Sequence, residues 1–95
     1  MIQHIVLFRW KGGVSADAVK AAIAQLFRLR EIAGVSELAH GENFAKYSDG
    51  HAYALTLRLR DNGALKAYWN DPIHKQIMDM IQPILDHALV VDFEL

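Results

Sequence analysis

The sequence predicts an α+β domain in which a four-stranded antiparallel sheet carries helices on one face. Three observations lead there. Segments rich in β-branched, aromatic and aliphatic residues alternate with segments of helical apolar spacing, in the order strand, helix, strand, strand, helix pair, strand. The breaks between them, among them Lys11-Gly12-Gly13, Ser48-Asp49-Gly50 and Asp61-Asn62-Gly63, carry turn chemistry. The 95 residues fit one domain, residues 1–95, with no linker, repeat or low-complexity segment.

The elements follow in order. Ile2 to Trp10 reads as a strand whose even face carries Ile2, His4, Val6, Phe8 and Trp10 and whose odd face carries Gln3, Ile5, Leu7 and Arg9. Both faces are largely apolar, which implies cover on both sides. Ser15 is suited to N-cap a helix, with Asp17 in its first turn. Val19, Ala22, Ile23, Leu26, Leu29 and Ala33 then recur at helical spacing, and Gly34 is a natural stop, so the helix is expected from about residue 16 to 33. Val35 to Lys46 reads as an irregular strand with a bulge expected at Gly41. After the turn at Ser48-Asp49-Gly50, the residues His51, Tyr53, Leu55, Leu57 and Leu59 alternate with Ala52, Ala54, Thr56, Arg58 and Arg60, a half-polar strand. Ala64 to Trp69 makes a short helix. Asp71-Pro72 breaks it and starts another, because proline lacks an N–H, disfavours helical geometry in the residue before it, and suits the first helical position. Ile73, Ile77, Met80, Ile81 and Ile84 form the apolar stripe of that helix, Pro83 ends or kinks it, and Ala88 to Leu95 closes the chain as a strand with Leu89, Val91, Phe93 and Leu95 on one face.

This order is that of a ferredoxin-like layout. So few helices cover one sheet face only, and 53% of the residues are hydrophobic. The simplest cover for the second face is a second copy of the same sheet, giving a dimeric α+β barrel.

Composition narrows the function. A formal charge of -1 offers no electrostatic case for nucleic acid or an anionic membrane. Without cysteine there are no disulfides, thiolate chemistry or Cys-based zinc sites. There is neither an 18-residue apolar run nor a signal-peptide pattern, so a cytoplasmic protein is expected. His4, His40, His51, His74 and His87 are far apart in sequence and no pair has i, i+4 spacing, which argues against a transition-metal site. No cofactor is expected. Trp10 and Trp69 read as core or interface aromatics.

The chemistry-bearing stretch is Tyr68-Trp69-Asn70-Asp71-Pro72-Ile73-His74. It places a phenol at the end of one helix and an imidazole in the first turn of the next. The helix dipole there favours neutral imidazole, while Asp71 opposes that with its own charge. A neutral His74 can take a proton from carbon next to a carbonyl, and Tyr68 can orient it or donate to the developing enolate oxygen. His4 and Phe8, on the even face of the first strand, would line the same pocket, with Leu26 and Phe27 as walls. The plainer reading makes Tyr68 a packing residue, His74 a strand-end hydrogen bonder and His4 a satisfied edge histidine.

The chain also resembles the stress-responsive A/B barrel domain (Dabb) family of dimeric α+β barrels. The resemblance lies in His4-Ile5-Val6-Leu7-Phe8-Arg9-Trp10-Lys11, Ile32-Ala33-Gly34-Val35, Gly41-Glu42-Asn43, Ala64-Leu65-Lys66-Ala67-Tyr68, Pro72-Ile73-His74 and Val91-Asp92-Phe93-Glu94, nearly the whole chain in order. It implies the fold and a homodimer. By similarity to a plant polyketide cyclase of the family, which closes a linear polyketide by aldol chemistry, it implies proton-transfer roles for Tyr68 and His74 and a pocket role for His4. The sequence departs from that pattern at Asp71, where the family often has His before the proline, and at Tyr53, which falls on a second pocket histidine. The expected protein is therefore a homodimeric barrel that binds a small hydrophobic carbonyl compound, with its cyclisation or isomerisation as the chemistry these residues would allow and catalysis itself left open. The expected catalytic residues are His74 and Tyr68, with His4, Phe8, Leu26, Phe27 and Tyr53 around the substrate. The rivals are a non-catalytic stress-responsive dimer without a pocket and a cofactor-free oxygenase of the wider superfamily.

Overall fold

A computed structural model covers residues 1–95. Strands β1 (Ile2–Trp10), β2 (Val35–Glu42), β3 (Tyr53–Leu59) and β4 (Leu85–Glu94) form one sheet in the order β2-β3-β1-β4, and every neighbouring pair is antiparallel. Helices α1 (Ala16–Ile23), α2 (Asn62–Asn70) and α3 (Pro72–Ile81) connect them. No helix is long and apolar enough to cross a membrane.

The alternation read in β1 and β3 sets the two faces. Ile2, His4, Val6 and Phe8 are buried beneath the helices, as are Tyr53, Leu55, Leu57 and Leu59 on β3, and Leu26, Leu29, Ala64, Tyr68, Ile77 and Ile81 pack onto them from above. Ile5 pairs with Thr56 on one side and Val91 on the other, so these three share the opposite face with Leu7, Leu89 and Phe93. That face has no helix. Leu89, Val91 and Phe93 remain 42–47% exposed.

The local signals worked where they were short. Ser15 caps α1 by accepting from the Ala18 N–H, Asp61 caps α2 by accepting from the Ala64 N–H, and Asp71 caps α3 by accepting from the Ile73 N–H at 2.8 Å with Pro72 at the first position. Asp49 and Gly50 both take positive φ beneath a hydrogen bond from the His51 N–H to the Ser48 carbonyl, a tight turn into β3.

Several details differ from the sequence expectation, among them β3, which spans Tyr53–Leu59 within the expected His51 to Arg60, and α2, which spans Asn62–Asn70 around the expected Ala64 to Trp69. The helix expected over 16–33 stops at Ile23, and Leu26–Glu31 continues as a 3-10 helix. Leu26, Leu29 and Ile32 recur every third residue, the period of the tighter helix, and all three are buried. The bulge in β2 lies at Glu37–Leu38 and not at Gly41: two residues of β2 stand between the Ser36–Arg58 and Ala39–Thr56 pairs where β3 supplies only Leu57, while Gly41 pairs in register with Ala54. Glu37 absorbs the extra residue at φ 50°. β2 itself ends at Glu42, short of Lys46. Pro83 ends α3 as expected, in one 3-10 turn, but β4 begins at Leu85 and not at Ala88, with Leu85 pairing with Trp10 across a register shift.

Candidate functional site

The corner between α2 and α3 does bring Tyr68 and His74 together. Their rings lie 4.7 Å apart between centroids, and β1 lifts His4 to within 5.3 Å of Tyr68. Trp69 completes the group, meeting His4 at 5.4 Å and His74 at 5.0 Å in near-perpendicular edge contacts. Tyr68, His4 and His74 are buried while Trp69 stays at the rim. Beside them is a cavity of about 60 Å³ whose 14 lining residues are hydrophobic except for two. His4, Phe8, Tyr68 and His74 line it, with Leu26 and Leu29 from the 3-10 helix, Ile77, Met78 and Ile81 from α3, and Ala88 and Val90 from β4.

Two residues expected around the substrate, Phe27 as a wall and Tyr53 at the second pocket position, lie elsewhere. Phe27 is 56% exposed and takes no part in the cavity. It follows Leu26 directly, and consecutive residues of a helix point in different directions, so the wall goes to Leu26 alone. Tyr53 lies under the helices opposite Phe8, but it lines a separate groove with Trp10, Ile23 and Glu42, and its hydroxyl is 2.6 Å from His40 Nδ1. Burial, helped by the Glu42 carboxylate, pushes the Tyr53 phenol up.

The electrostatics assign distinct capacities to the three central groups. Burial pushes the Tyr68 phenol far above its ordinary value and the Asp92 carboxylate adds to this, so Tyr68 stays protonated near neutral pH and acts as a donor. His74 goes the other way: burial, then the positive charge His4 can carry, lowers it, outweighing Asp71 and the Trp69 carbonyl. The competition between helix dipole, cap and burial therefore ends with a neutral imidazole at neutral pH, one nitrogen of which carries a lone pair. His4 is fully buried, and its Nδ1 is 2.5 Å from Asp92 Oδ1. As an ionised carboxylate only accepts, Nδ1 carries the proton that it donates to Asp92. His4 Nε2 is then the one fully buried side-chain polar atom without a partner.

Asp92 and Trp69 are the two members of the group that the sequence does not mark as site residues. Asp92 reaches His4 because the β1–β4 register sets the two residues opposite one another. The available signal was a single acid within the apolar run Leu89-Val90-Val91-Asp92-Phe93. The histidines, dispersed along the chain, are also less scattered in space. His4 and His74 share the cavity, and His51 Nε2 lies 2.8 Å from His87 Nδ1. No three acidic or imidazole side chains converge on a metal-sized point.

Against known proteins, no curated sequence matches the chain. Solved structures do. A dimeric ferredoxin-like protein of unknown function from Jannaschia sp. CCS1 is 31% identical, with a TM-score of 0.83 over 99% of this chain and 98% of that one. A second such dimeric protein, from Thermobifida fusca, is 29% identical with a TM-score of 0.87 over 99% and 90%. The hydroxynitrile lyase of Passiflora edulis shares the fold at 19% identity, with a TM-score of 0.87 over 99% and 92%. Residues 2–95 match the family profile described as the stress responsive A/B barrel domain. With the match running the length of the fold, the chain belongs to the stress responsive A/B barrel domain (Dabb) family.

Proposed function

We propose that the chain is a homodimer closed through its open sheet face, and that each protomer's cavity binds a small hydrophobic carbonyl compound and moves a proton next to its carbonyl. The observation that carries the second part is the opposed tuning of two neighbouring groups, a protonated phenol at Tyr68 and a neutral imidazole at His74, on one apolar cavity. His74 takes a proton from the carbon beside the carbonyl as that C–H bond breaks, and the Tyr68 O–H donates to the oxygen on which the enolate charge collects. Return of the proton at another carbon isomerises the compound; attack of the enolate carbon on a second carbonyl cyclises it. The cavity favours this reading over a stress-responsive dimer whose interior is packed solid.

The first part rests on the bare apolar face. Four strands at about 4.8 Å spacing and eight residues at about 3.3 Å rise offer roughly 500 Å² of flat sheet, and side-chain relief brings that toward the ~800 Å² per partner of a standard interface. The description of two close structural relatives as dimeric supports the same conclusion.

The test uses 2-butanone in D₂O, with proton NMR following loss of the α-proton signals. The wild-type chain accelerates the exchange over buffer, His74→Ala abolishes the acceleration, and Tyr68→Phe lowers it about 10²-fold or more, the scale of losing one oxyanion donor. Unchanged exchange in His74→Ala removes His74 as the base.

A further inference from the structure

The size of the cavity restricts what it can enclose. An engineered apolar cavity of roughly 150 Å³ holds one benzene. The cavity here, about 60 Å³, is less than half as large. On that scale it takes about two to three non-hydrogen atoms, at most an acetyl-sized group and not a ring or a long chain.

Its boundary is shared with a second space. Trp69, His74 and Met78 line the cavity and also line an open groove of about 440 Å³ on the outside of α3. The remaining lining residues of that groove are Lys75, Asp79 and Gln82, all exposed. They are spaced i, i+4 and i+7, one above another along one helix face. The two spaces differ in character. The inner one is apolar, with His4 Nε2 as its unpartnered buried atom. The outer one offers an ammonium, a carboxylate and an amide, and the two charges offset one another. From Lys75 to Gln82 the helix rises about 10 Å.

We propose that cavity and groove are two halves of one site, whose ligand is a methyl ketone or acetyl compound with its carbonyl end in the cavity and a polar, uncharged tail lying along Lys75, Asp79 and Gln82. This rests on the carbonyl reading of the cavity, confines the hydrophobic part of the ligand to its small reacting end, and adds the chemistry of the rest of the molecule. His4 suits such an end whether or not its Nε2 carries a proton. Held by Asp92, a neutral His4 presents an Nε2 lone pair to the hydroxyl of an enol, and a protonated one presents an N–H to the ketone oxygen. Along the groove, hydroxyl and amide groups meet a donor at Lys75, an acceptor at Asp79 and both at Gln82.

The experiment titrates the ¹⁵N-labelled chain with three ketones. They are 2-butanone, N-(2-hydroxyethyl)-4-oxopentanamide, which keeps the methyl ketone and adds a polar tail, and the analogue of the latter with phenyl in place of the ketone methyl. Both methyl ketones shift the amides of His4, Tyr68 and Ile77. Only the tailed one also shifts Lys75, Asp79 and Gln82, and it binds about tenfold more tightly or better. The double variant Asp79→Ala/Gln82→Ala removes that advantage, and the phenyl analogue leaves the cavity amides unmoved. Equal affinity of the two methyl ketones, with the groove amides still, overturns the two-part site and leaves the carbonyl cavity standing. A phenyl analogue that enters the cavity overturns the size limit. If neither methyl ketone shifts the cavity amides, the carbonyl reading falls and the two-part site falls with it.

Discussion

Replacing Asp92 by Ala strands a buried imidazole. In the native chain His4 has no exposure and its Nδ1–H is held by Asp92 at 2.5 Å, while Nε2 has no partner. Without the carboxylate both ring nitrogens are unsatisfied. A buried polar group left without its partner costs about 1–3 kcal/mol. The Asp92 side chain is 29% exposed, so water can reach part of the vacated position and the lower half of that range applies, about 1–2 kcal/mol. For a domain of this length each kcal/mol moves the Tm by about 4–8 °C, which gives a fall of roughly 4–16 °C in a calorimetric scan. Asp92→Asn retains an acceptor oxygen and loses only the charge, so its Tm falls between those of wild type and Asp92→Ala. In a His4→Phe background the Asp92→Ala step shrinks to the ordinary surface value, within about 0.5 kcal/mol. A Tm for Asp92→Ala within about 2 °C of wild type, or an undiminished loss in the His4→Phe background, refutes the pairing as the source of the effect.

Three further outcomes are expected. Asp71→Ala removes the α3 cap and costs about 1 kcal/mol in denaturant unfolding; as the Asp71 charge raises His74, the variant also titrates His74 at a lower pH, read from its imidazole proton shifts. Gly34→Ala costs about 2 kcal/mol, because Gly34 sits at φ +88° and an added Cβ would stand 2.8 Å from the Ala64 Cβ; Ala64→Gly recovers the contact part of the loss and not the backbone part. The third concerns pH. His74 is lowered in the folded chain, so as pH falls through about 6.5 the unfolded state binds its proton first. The stability that neutral His74 contributes is therefore complete above that pH and is lost below it, down toward the folded value. His74→Gln flattens this acid-side decline in a pH series of urea melts, and an unchanged slope removes His74 as its source.

What the sequence disclosed was set by the range of each interaction. The alternation read over His51 to Arg60 and the Asp71-Pro72 corner are local; the corner appears in the fold as read, and the alternation holds over Tyr53–Leu59 in β3. The meeting of Tyr68 and His74 was legible for the same reason, being six residues apart across a single corner. The 3-10 helix was harder to see, since Leu26, Leu29 and Ile32 satisfy a spacing of three as well as one face of an α-helix. The local sequence favours Gly41 for the β2 bulge, whereas the pairing with β3 fixes it at Glu37, which takes a positive φ despite its side chain. Asp92 was the least visible site residue. It stands 88 positions from His4, and only the β1–β4 register brings the pair together.

The most direct test is a crystal structure of the chain grown with 2-butanone at saturation. The account predicts density for the acetyl end of the ketone inside the 60 Å³ cavity, its oxygen about 3 Å from the Tyr68 hydroxyl and its α-carbon against the His74 imidazole. Density confined to the molecular surface, with Tyr68 and His74 untouched, contradicts it.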